Sequence, residues 1–131
     1  MDAEAAGRYV RDHPRAVMAT LRRDGRPQLT PVLVGVDDAG RLQISTREPS
    51  AKVQNLRRDP RVSLCMLQDR FFGGSVQIHG TAEIVSLPEA MELLVAYYRQ
   101  AAGEHPNWDE YREAMRREQR CLVRITIEEA V

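Results

Sequence analysis

The sequence predicts a mainly β protein of the α+β class, in which six antiparallel strands form one sheet that closes toward a barrel. Three observations support this fold class. Six segments alternate apolar and polar residues with the period of two that strands require. The first three segments are joined by turns too short for the crossovers of a parallel sheet. Helical patterns occur only at the N-terminus and at two insertions between strands, which predicts short helices flanking the sheet.

The first three strands are predicted from alternation and from turn residues. Residues 16–23 alternate in polarity, and the Asp-Gly pair that follows them is a strong hairpin signal. The second strand, residues 27–36, contains Pro31, which lacks the N–H that a ladder needs. Pro31 therefore indicates a sheet edge, a bulge or a functional kink. A second turn, DDAG, leads into the third strand at residues 41–46.

The remaining strands and the helices follow from the same patterns. Three more strands are predicted at residues 61–68, 75–85 and 121–127, of which 75–85 alternates most regularly. Helices are predicted at residues 3–12, at 51–58, from a capping box at 86–89 through Ala102, and at 108–118. In that capping box the hydroxyl of Ser86 is expected to cap the third helix, while Gly103 ends it.

Length, charge and cysteine content narrow the class of protein. The 131 residues are predicted to form a single domain, residues 1–131. Nineteen basic residues balance nineteen acidic ones, which argues against a nucleic-acid partner. No apolar stretch approaches the roughly 18 residues of a membrane span, and the N-terminus lacks the apolar region of a secretory signal. Cys65 and Cys121 belong to no CxxC pair, which is typical of free thiols in a reducing cytoplasm, so a cytoplasmic protein without a membrane partner is expected.

Histidine and serine patterns predict neither a metal site nor a catalytic triad. His13, His79 and His105 lack the spacing of metal ligands, and no G-x-S-x-G elbow occurs. No catalytic residue is assigned. Tyr97, Tyr98 and His79 are the candidate proton donors, and none of them stands out.

The main functional signal lies in residues 45–61, STREPSAKVQNLRRDPR. Lys52 falls in the first turn of the predicted helix, where the helix end is already partly positive and disfavours a cation. A bound anion would reverse this effect, because the free N–H groups of the turn and Lys52 would both become its ligands. The alternative is a solvated lysine without a ligand. The hydroxyl of Ser50 is expected to cap one N–H, and Arg57 and Arg58 are interpreted as structural because cations are favoured at a helix C-terminus.

Three segments carry a resemblance to a known family: ATLRRDGRPQLTPV, ISTREPSAKVQNLRRDPRV and VQIHGTAEIV. In their order and spacing they resemble the split-barrel flavin-binding superfamily of pyridoxamine 5′-phosphate oxidase, and they are most similar to the branch that uses the deazaflavin coenzyme F420. The resemblance runs from about Val17 to Ile84. It implies a split β-barrel that forms a homodimer with two cofactor sites at the interface. A small β domain also favours dimerisation, since it buries little core by itself.

The resemblance also implies which residues bind the cofactor. On the second strand, the residues implied to lie along the ring system are Thr30, Pro31, Val32 and Leu33. The residues implied to hold the phosphate end are Ser45, Thr46, Arg47, Ser50, Ala51 and Lys52. Asn55 either joins this set or only braces the helix. Ser75 and Gln77 would approach from the partner subunit.

The implied cofactor is F420, with FMN as the alternative. Both carry a phosphate, and the longer tail of F420 would favour a basic groove, for which the candidates are Arg22, Arg23, Arg47, Arg57 and Arg58. The implied reaction is hydride transfer between the coenzyme and a small-molecule acceptor. A barrel that binds flavin or haem without turnover is the competing class, although no histidine follows His105. Trp108 and Tyr111 either pack the last helix onto the barrel or cover a substrate.

Overall fold

The computed structural model describes residues 1–131 and contains four helices and seven strands. In chain order they are α1 Ala3–Asp12, β1 Arg15–Leu21, β2 Pro27–Leu33, β3 Gly35–Val36, β4 Leu42–Arg47, α2 Ala51–Arg58, β5 Arg61–Leu67, β6 Ser75–Val85, α3 Met91–Ala102, α4 Trp108–Arg117 and β7 Arg120–Ala130. The bounds of α1, α2 and β6 are those that the sequence predicts, and β7 extends three residues beyond its predicted end at 127.

All seven strands belong to one antiparallel sheet with the order β2-β1-β5-β6-β7-β4-β3. This arrangement confirms the predicted fold class. Strands β2 and β3 lie at opposite edges of the sheet, yet only Val34 separates them in the chain. The sheet must therefore curl until its two edges meet at Val34. The half-barrel is closed there by the chain itself and not by a hydrogen-bonded ladder.

The predicted count of six strands is wrong, because the segment 27–36 divides into two strands. At the break, the Val34 N–H still donates to the carbonyl of Pro14 at 2.8 Å, one position beyond the Arg15–Leu33 pair, and the next two residues pair with β4 instead. Val34, Gly35 and Val36 are all buried, so this part of the chain has no alternation to reveal the break. Pro31 lies on the edge strand β2, in agreement with one of the three roles that its sequence position allows.

The third helix begins at Met91, five residues after the predicted capping box begins. Ser86 does not cap it, because its hydroxyl donates to the Glu48 carboxylate at 2.5 Å. Residues 87–90 form turns instead, and the structural N-cap is Ala90. The fourth helix is capped by Asn107, whose side chain accepts from the N–H of Glu110 at 3.1 Å.

Apolar residues form two clusters on the two sides of the sheet. The larger cluster fills the curl of the sheet and includes Met18, Ile44, Leu64 and Ile125. The smaller cluster packs α3 and α4 against the outer side of β7, with Leu122 as the strand's contribution. None of the four helices has the length and apolar character that crossing a membrane requires.

Helix α3 seals the seam where the sheet edges meet. The Tyr97 hydroxyl donates to the carbonyl of Leu33, the last residue of β2, at 2.7 Å. One turn later, the Gln100 side chain accepts from the N–H of Val36 at 2.7 Å and donates to its carbonyl at 2.8 Å. Two side chains therefore occupy positions that a neighbouring strand would otherwise fill, and they bind the end of β2 and the strand β3 to α3.

Candidate functional site

The start of α2 carries free hydrogen-bond donors. Ser50 occupies the N-cap position, but its side chain caps no N–H group, so the expected capping hydrogen bond is wrong. The first N–H bonded back into the helix is that of Gln54, which donates to the carbonyl of Ser50. The N–H groups of Ala51, Lys52 and Val53 therefore have no protein acceptor. Three parallel donors at a helix end form a favourable position for an anion.

Lys52 is a half-buried cation without a counterion. No carboxylate lies within ion-pair distance of its ammonium, and it makes no hydrogen bond within the protein. Burial lowers the pKa of Lys52 below its usual 10.5, and the nearby Arg120 guanidinium lowers it further. Both effects disfavour the charged form, so the charged lysine destabilises the protein without a ligand. A bound anion would offset this destabilisation.

Two hydroxyl groups lie beside this helix end. Thr46 is 3% exposed, and its Oγ1 lies 3.4 Å from Oγ of Ser50. Thr46 pairs across the ladder with Cys121, which is fully buried. Burial raises the pKa of the Cys121 thiol to about 11, so the thiol stays neutral and does not compensate the charge of Lys52. Together, Thr46, Ser50, Lys52 and the free N–H groups of the first turn are called the anion cradle below.

A hydrogen-bonded network fixes the loop that leads into α2. The Glu48 carboxylate accepts from the Ser86 hydroxyl and from the Arg57 guanidinium, each at 2.5 Å. The Gln54 amide donates to the carbonyl of Glu48 at 2.9 Å. The Glu48 carboxylate is thereby paired with Arg57. No sequence signal identifies this network, because Ser86 lies 38 residues from Glu48.

Ser45 and Arg47 lie on the opposite face of β4 from Thr46. Strand alternation directs Ser45 toward the helices, where it lines an open cavity of about 420 Å³ with Tyr98 and Tyr111. Nε of Arg47 donates to the carbonyl of Glu118 at 3.1 Å, at the end of α4. The structure therefore does not bring these two predicted phosphate ligands together with Lys52.

Asn55 is a buried brace between α2 and the sheet. Its amide donates to the hydroxyl of Thr20 at 3.1 Å, and its carbonyl oxygen accepts from Arg58 at 2.8 Å. Arg58 also donates to the carbonyl of Leu21 at 3.1 Å. These contacts agree with the structural role of the two open for Asn55, and they show what Arg58 contributes.

The four predicted ring contacts on β2 divide between two faces. Thr30 and Val32 point into the curl of the sheet, where Val32 packs against the main core. Pro31 and Leu33 point outward and are exposed. An uninterrupted cross-strand row then runs from Pro31 through Val17 on β1 and Cys65 on β5 to Gln77 on β6. Gln77 thus shares a face with Pro31, at three strand spacings or about 14 Å.

The outward side of β2, β1, β5 and β6 is called the β2–β6 face below. Large apolar side chains are exposed on it, with Leu29 62% and Leu67 41% exposed, together with the first residues of β1 and β5, which are both arginines. His79 lies half-buried on this face, and its Nδ1 is 2.7 Å from the hydroxyl of Ser63. Ser75 is an exposed residue at the start of β6 on the same face. The predicted partner-side residues therefore lie on a surface suited to association.

Aromatic side chains that include Tyr98, His105 and Tyr111 line the open cavity against α3 and α4, and Trp108 packs against them from outside the lining. Rings of Tyr98, His105, Trp108 and Tyr111 pack at centroid distances between 5.1 and 5.7 Å. Tyr111 is buried, and its hydroxyl donates to the carbonyl of Leu94 at 2.8 Å. This contact joins α4 to α3, and it agrees with the packing role of the two roles open for Trp108 and Tyr111. No group of three or more histidine, cysteine or acidic side chains is arranged to hold a metal ion.

Comparison with known proteins agrees with this architecture. A conserved hypothetical protein, Rv2991 from Mycobacterium tuberculosis, is 29% identical and superimposes with a TM-score of 0.80 over 99% of this chain and 82% of that chain. A protein named F420 reductase is 17% identical, with a TM-score of 0.70 over 91% of this chain and 90% of that chain. The heme storage protein HutZ from Vibrio cholerae is 18% identical, with a TM-score of 0.73 over 100% of this chain and 94% of that chain.

The last two similarities concern the fold alone, because their identities are low. Comparison of the sequence with family models identifies the family as well as the fold. The model of the family described as pyridoxamine 5′-phosphate oxidase matches residues 2–131, which is nearly the entire chain. The fold, the sequence segments and this match agree, and the chain belongs to the pyridoxamine 5′-phosphate oxidase family.

Proposed function

We propose that this protein is an F420-dependent oxidoreductase that works as a homodimer and reduces or oxidises a small molecule. The observation that carries the proposal is the unpaired, half-buried Lys52 beside three free N–H groups. A site of this kind fits the phosphate of a coenzyme. The similarity in fold to a protein named F420 reductase supports F420 over FMN.

The donors of the anion cradle match the chemistry of a phosphate group. A phosphate offers several acceptor oxygens, and the cradle offers the ammonium of Lys52, the N–H groups of the first helical turn and the hydroxyls of Thr46 and Ser50. Arg120 also lies near Lys52, with its guanidinium paired to the Glu118 carboxylate. The Glu48 carboxylate is paired with Arg57 and so opposes an anion little.

The exposed residues of β2 suit the ring of such a coenzyme. Pro31 and Leu33 offer a flat apolar surface at the sheet edge, beside the seam that Tyr97 closes. Proline at this position also prevents another strand from pairing with the edge. When bound, the deazaflavin supplies hydride transfer to an electron-poor double bond or a quinone-like acceptor. The protein residues then have to orient the ring and exclude water, and no side chain is required as a nucleophile.

The β2–β6 face supports the homodimer. A two-fold axis that runs parallel to the strands between β1 and β5 would place β2 of one protomer opposite β6 of the other. Pro31 would then face the partner's Gln77, which is the arrangement that the sequence resemblance implies. Each site would take its ring surface from one protomer and its polar contacts from the other, and symmetry would produce two sites.

Titration of the purified protein with F420 and, separately, with FMN tests the proposal. We expect quenching of coenzyme fluorescence and tighter binding of F420. The variant Lys52→Met should weaken binding about 10- to 100-fold, since a charge-assisted hydrogen bond contributes about 1.5–3 kcal/mol. Lys52→Arg should bind better than Lys52→Met. The control Arg8→Met removes an exposed charge of α1 and should bind as the wild type does.

Two outcomes of this titration would contradict the proposal. Binding of neither coenzyme would reject the cofactor assignment. Equal binding by Lys52→Met and wild type would place the phosphate away from the anion cradle. Reduced F420 can then be supplied together with quinones and enones, and oxidation of the coenzyme would identify the acceptor class and establish turnover.

A further inference from the structure

Two phenylalanines at the tip of the β5–β6 hairpin are almost completely exposed. Phe71 is 90% and Phe72 is 93% exposed, and their rings touch edge to face with centroids 4.7 Å apart. Apolar side chains of this size are normally buried, and an exposed cluster of them marks an interaction surface. Since the two rings contact mainly each other, they contribute little to the packing of their own protomer.

The hairpin tip continues the apolar β2–β6 face. The last ladder pair before the tip joins Leu67 to Ser75, and residues 68–74 project beyond it. Leu67 lies at the same end of the sheet as Leu33, because Arg15 pairs with Leu33 and the next residue, Ala16, pairs with Met66. The exposed rings therefore extend a surface on which Leu33 and Leu67 are 40% and 41% exposed.

A cavity lies at this same end of the sheet, on the side of β2. Its volume is about 250 Å³, and its lining consists of Arg11, Pro14, Leu33, Val34, Gly35, Tyr97, Gln100 and Ala101. Leu33 belongs both to the cavity lining and to the β2–β6 face. Each protomer thus presents an aromatic projection on one side of the sheet end and a partly apolar cavity on the other.

The two-fold axis proposed above brings these two features together. A rotation that puts Pro31 opposite the partner's Gln77 also puts Leu33 opposite the partner's Ser75, because each pair occupies equivalent ladder positions. The partner's hairpin tip begins one residue before its Ser75, so it reaches beyond Leu33 toward Pro14. That is where the cavity lies. Isologous symmetry then repeats the contact on the other side of the dimer.

We propose that Phe71 and Phe72 of each protomer pack into the cavity at the Leu33 end of the partner's β2, and that they complete the wall of the cofactor site there. This inference rests on the homodimer put forward under the proposed function, and it adds the residues that hold the dimer together. Aromatic side chains bury roughly 150–250 Å² each. The pair therefore supplies a large part of the roughly 800 Å² per partner that a stable interface buries.

Sedimentation equilibrium of a double variant tests the contact. Phe71→Ser/Phe72→Ser should raise the dimer dissociation constant about tenfold or more, because hot-spot aromatics dominate association. The matched control Phe71→Leu/Phe72→Leu keeps the apolar character and should stay closer to the wild type. Circular dichroism should show folded protomers in both cases, since both rings are exposed within the protomer. Unchanged dimerisation of the serine variant, or a monomeric wild type, would overturn the inference.

Disulfide trapping provides a second, geometric test. A protomer carrying Phe72→Cys is mixed with one carrying Leu33→Cys and then oxidised with diamide. We expect a covalent heterodimer from the mixture. Each variant alone should give only the background of cross-linking that the native Cys65 and Cys121 produce. A mixture that gives no more cross-linked dimer than the single variants would contradict the contact.

Coenzyme titration of the same variants separates this inference from the proposed function. If the wild type binds F420 and the serine variant dimerises normally, the result would contradict the phenylalanine contact and support the proposed function. If the wild type binds no coenzyme and the serine variant fails to dimerise, the result would support the phenylalanine contact and contradict the proposed function. If the phenylalanine contact and the proposed function are both correct, the serine variant should bind F420 more weakly, in proportion to its loss of dimer.

Discussion

The Gln100 side chain forms two hydrogen bonds with the backbone of Val36, one to its N–H and one to its carbonyl. This amide occupies the position of a neighbouring strand along the two-residue strand β3. Three residues earlier on α3, the Tyr97 hydroxyl satisfies the carbonyl of Leu33. Helix α3 therefore holds the seam of the half-barrel, and with it the β2 edge that we propose as the contact for the coenzyme ring.

Removal of the Gln100 amide should destabilise the fold. Gln100→Met keeps much of the side-chain volume and loses both hydrogen bonds, each of which contributes about 0.5–1.5 kcal/mol. We expect the free energy of unfolding in urea to fall by about 1–3 kcal/mol. Gln100→Ala should lose a similar amount. If Gln100→Met is as stable as the wild type, the amide does not hold the seam.

Neutralising Lys52 should stabilise the protein without coenzyme. Burial and Arg120 lower the pKa of Lys52, so the folded state binds this proton less tightly than the unfolded state does. The penalty is present at neutral pH and disappears as the pH rises through the lowered pKa toward 10.5. We expect Lys52→Met to melt at an equal or higher temperature than the wild type near neutral pH. A clearly lower melting temperature would show that Lys52 has a structural role.

The pH dependence of coenzyme binding should follow the same lysine. A phosphate in the anion cradle binds the protonated form of Lys52, so affinity should be lost as the pH rises through the Lys52 pKa, which lies below 10.5 in the free protein. Lys52→Arg keeps its charge at higher pH and should extend the range of tight binding upward. Fluorescence titrations over the alkaline range measure this shift. Identical pH profiles for the two proteins would exclude Lys52 as the titrating group.

Asn55→Ala should reduce stability without affecting the coenzyme. The Asn55 side chain is buried, and its loss would leave the hydroxyl of Thr20 without this partner and free Arg58 from its contact. A decrease of about 1–3 kcal/mol in the free energy of unfolding is expected. The dissociation constant for F420, corrected for the folded fraction, should stay the same. A weaker corrected affinity would instead assign Asn55 to the cofactor site.

Thiol labelling should distinguish the two cysteines. Cys121 is fully buried and burial raises its pKa to about 11, so we expect it to stay unmodified in the native protein. Cys65 is half-buried on the β2–β6 face. Its labelling by iodoacetamide should slow as the protein concentration rises and the dimer forms. In Cys65→Ser no native labelling should remain, whereas a rate for Cys65 that is independent of concentration would place the interface elsewhere.

Local sequence patterns were sufficient for the elements that depend on local interactions. Alternation predicted β6, and helix start and stop signals predicted α2 with its bounds unchanged. The sequence does not show why residue 80 is a glycine, whereas the structure does. A Cβ there would lie 2.2 Å from the carbonyl oxygen of Thr126, at the irregular register between β6 and β7. Gly80, the glycine of the segment VQIHGTAEIV, is thus required because the backbone of β7 approaches it closely.

Where the structure differs from the sequence-based expectation, the contact is decided by a residue distant in the chain or by the face of a strand. Ser86 occupies the position of a helix cap in the sequence, but its hydroxyl donates a hydrogen bond to the Glu48 carboxylate instead. Ser45 and Arg47 flank Thr46 in sequence, yet strand alternation sends them to the side of α4. Propensity and spacing describe a residue and its neighbours in the chain, and they contain no information about which partner is nearest in space.

The sequence by itself determined that this protein is an antiparallel, mainly β fold with an unusual lysine at the start of α2, because strand period, turn residues and helix-end charge are local properties. Only the tertiary structure decided that Lys52 has no counterion, that Asn55 is a brace, and that Pro31 and Gln77 share one row. Those features depend on how a sheet of seven strands curls and on which side chains α2 and α3 bring against it. Packing and burial set them, and both arise only when residues far apart in the chain meet.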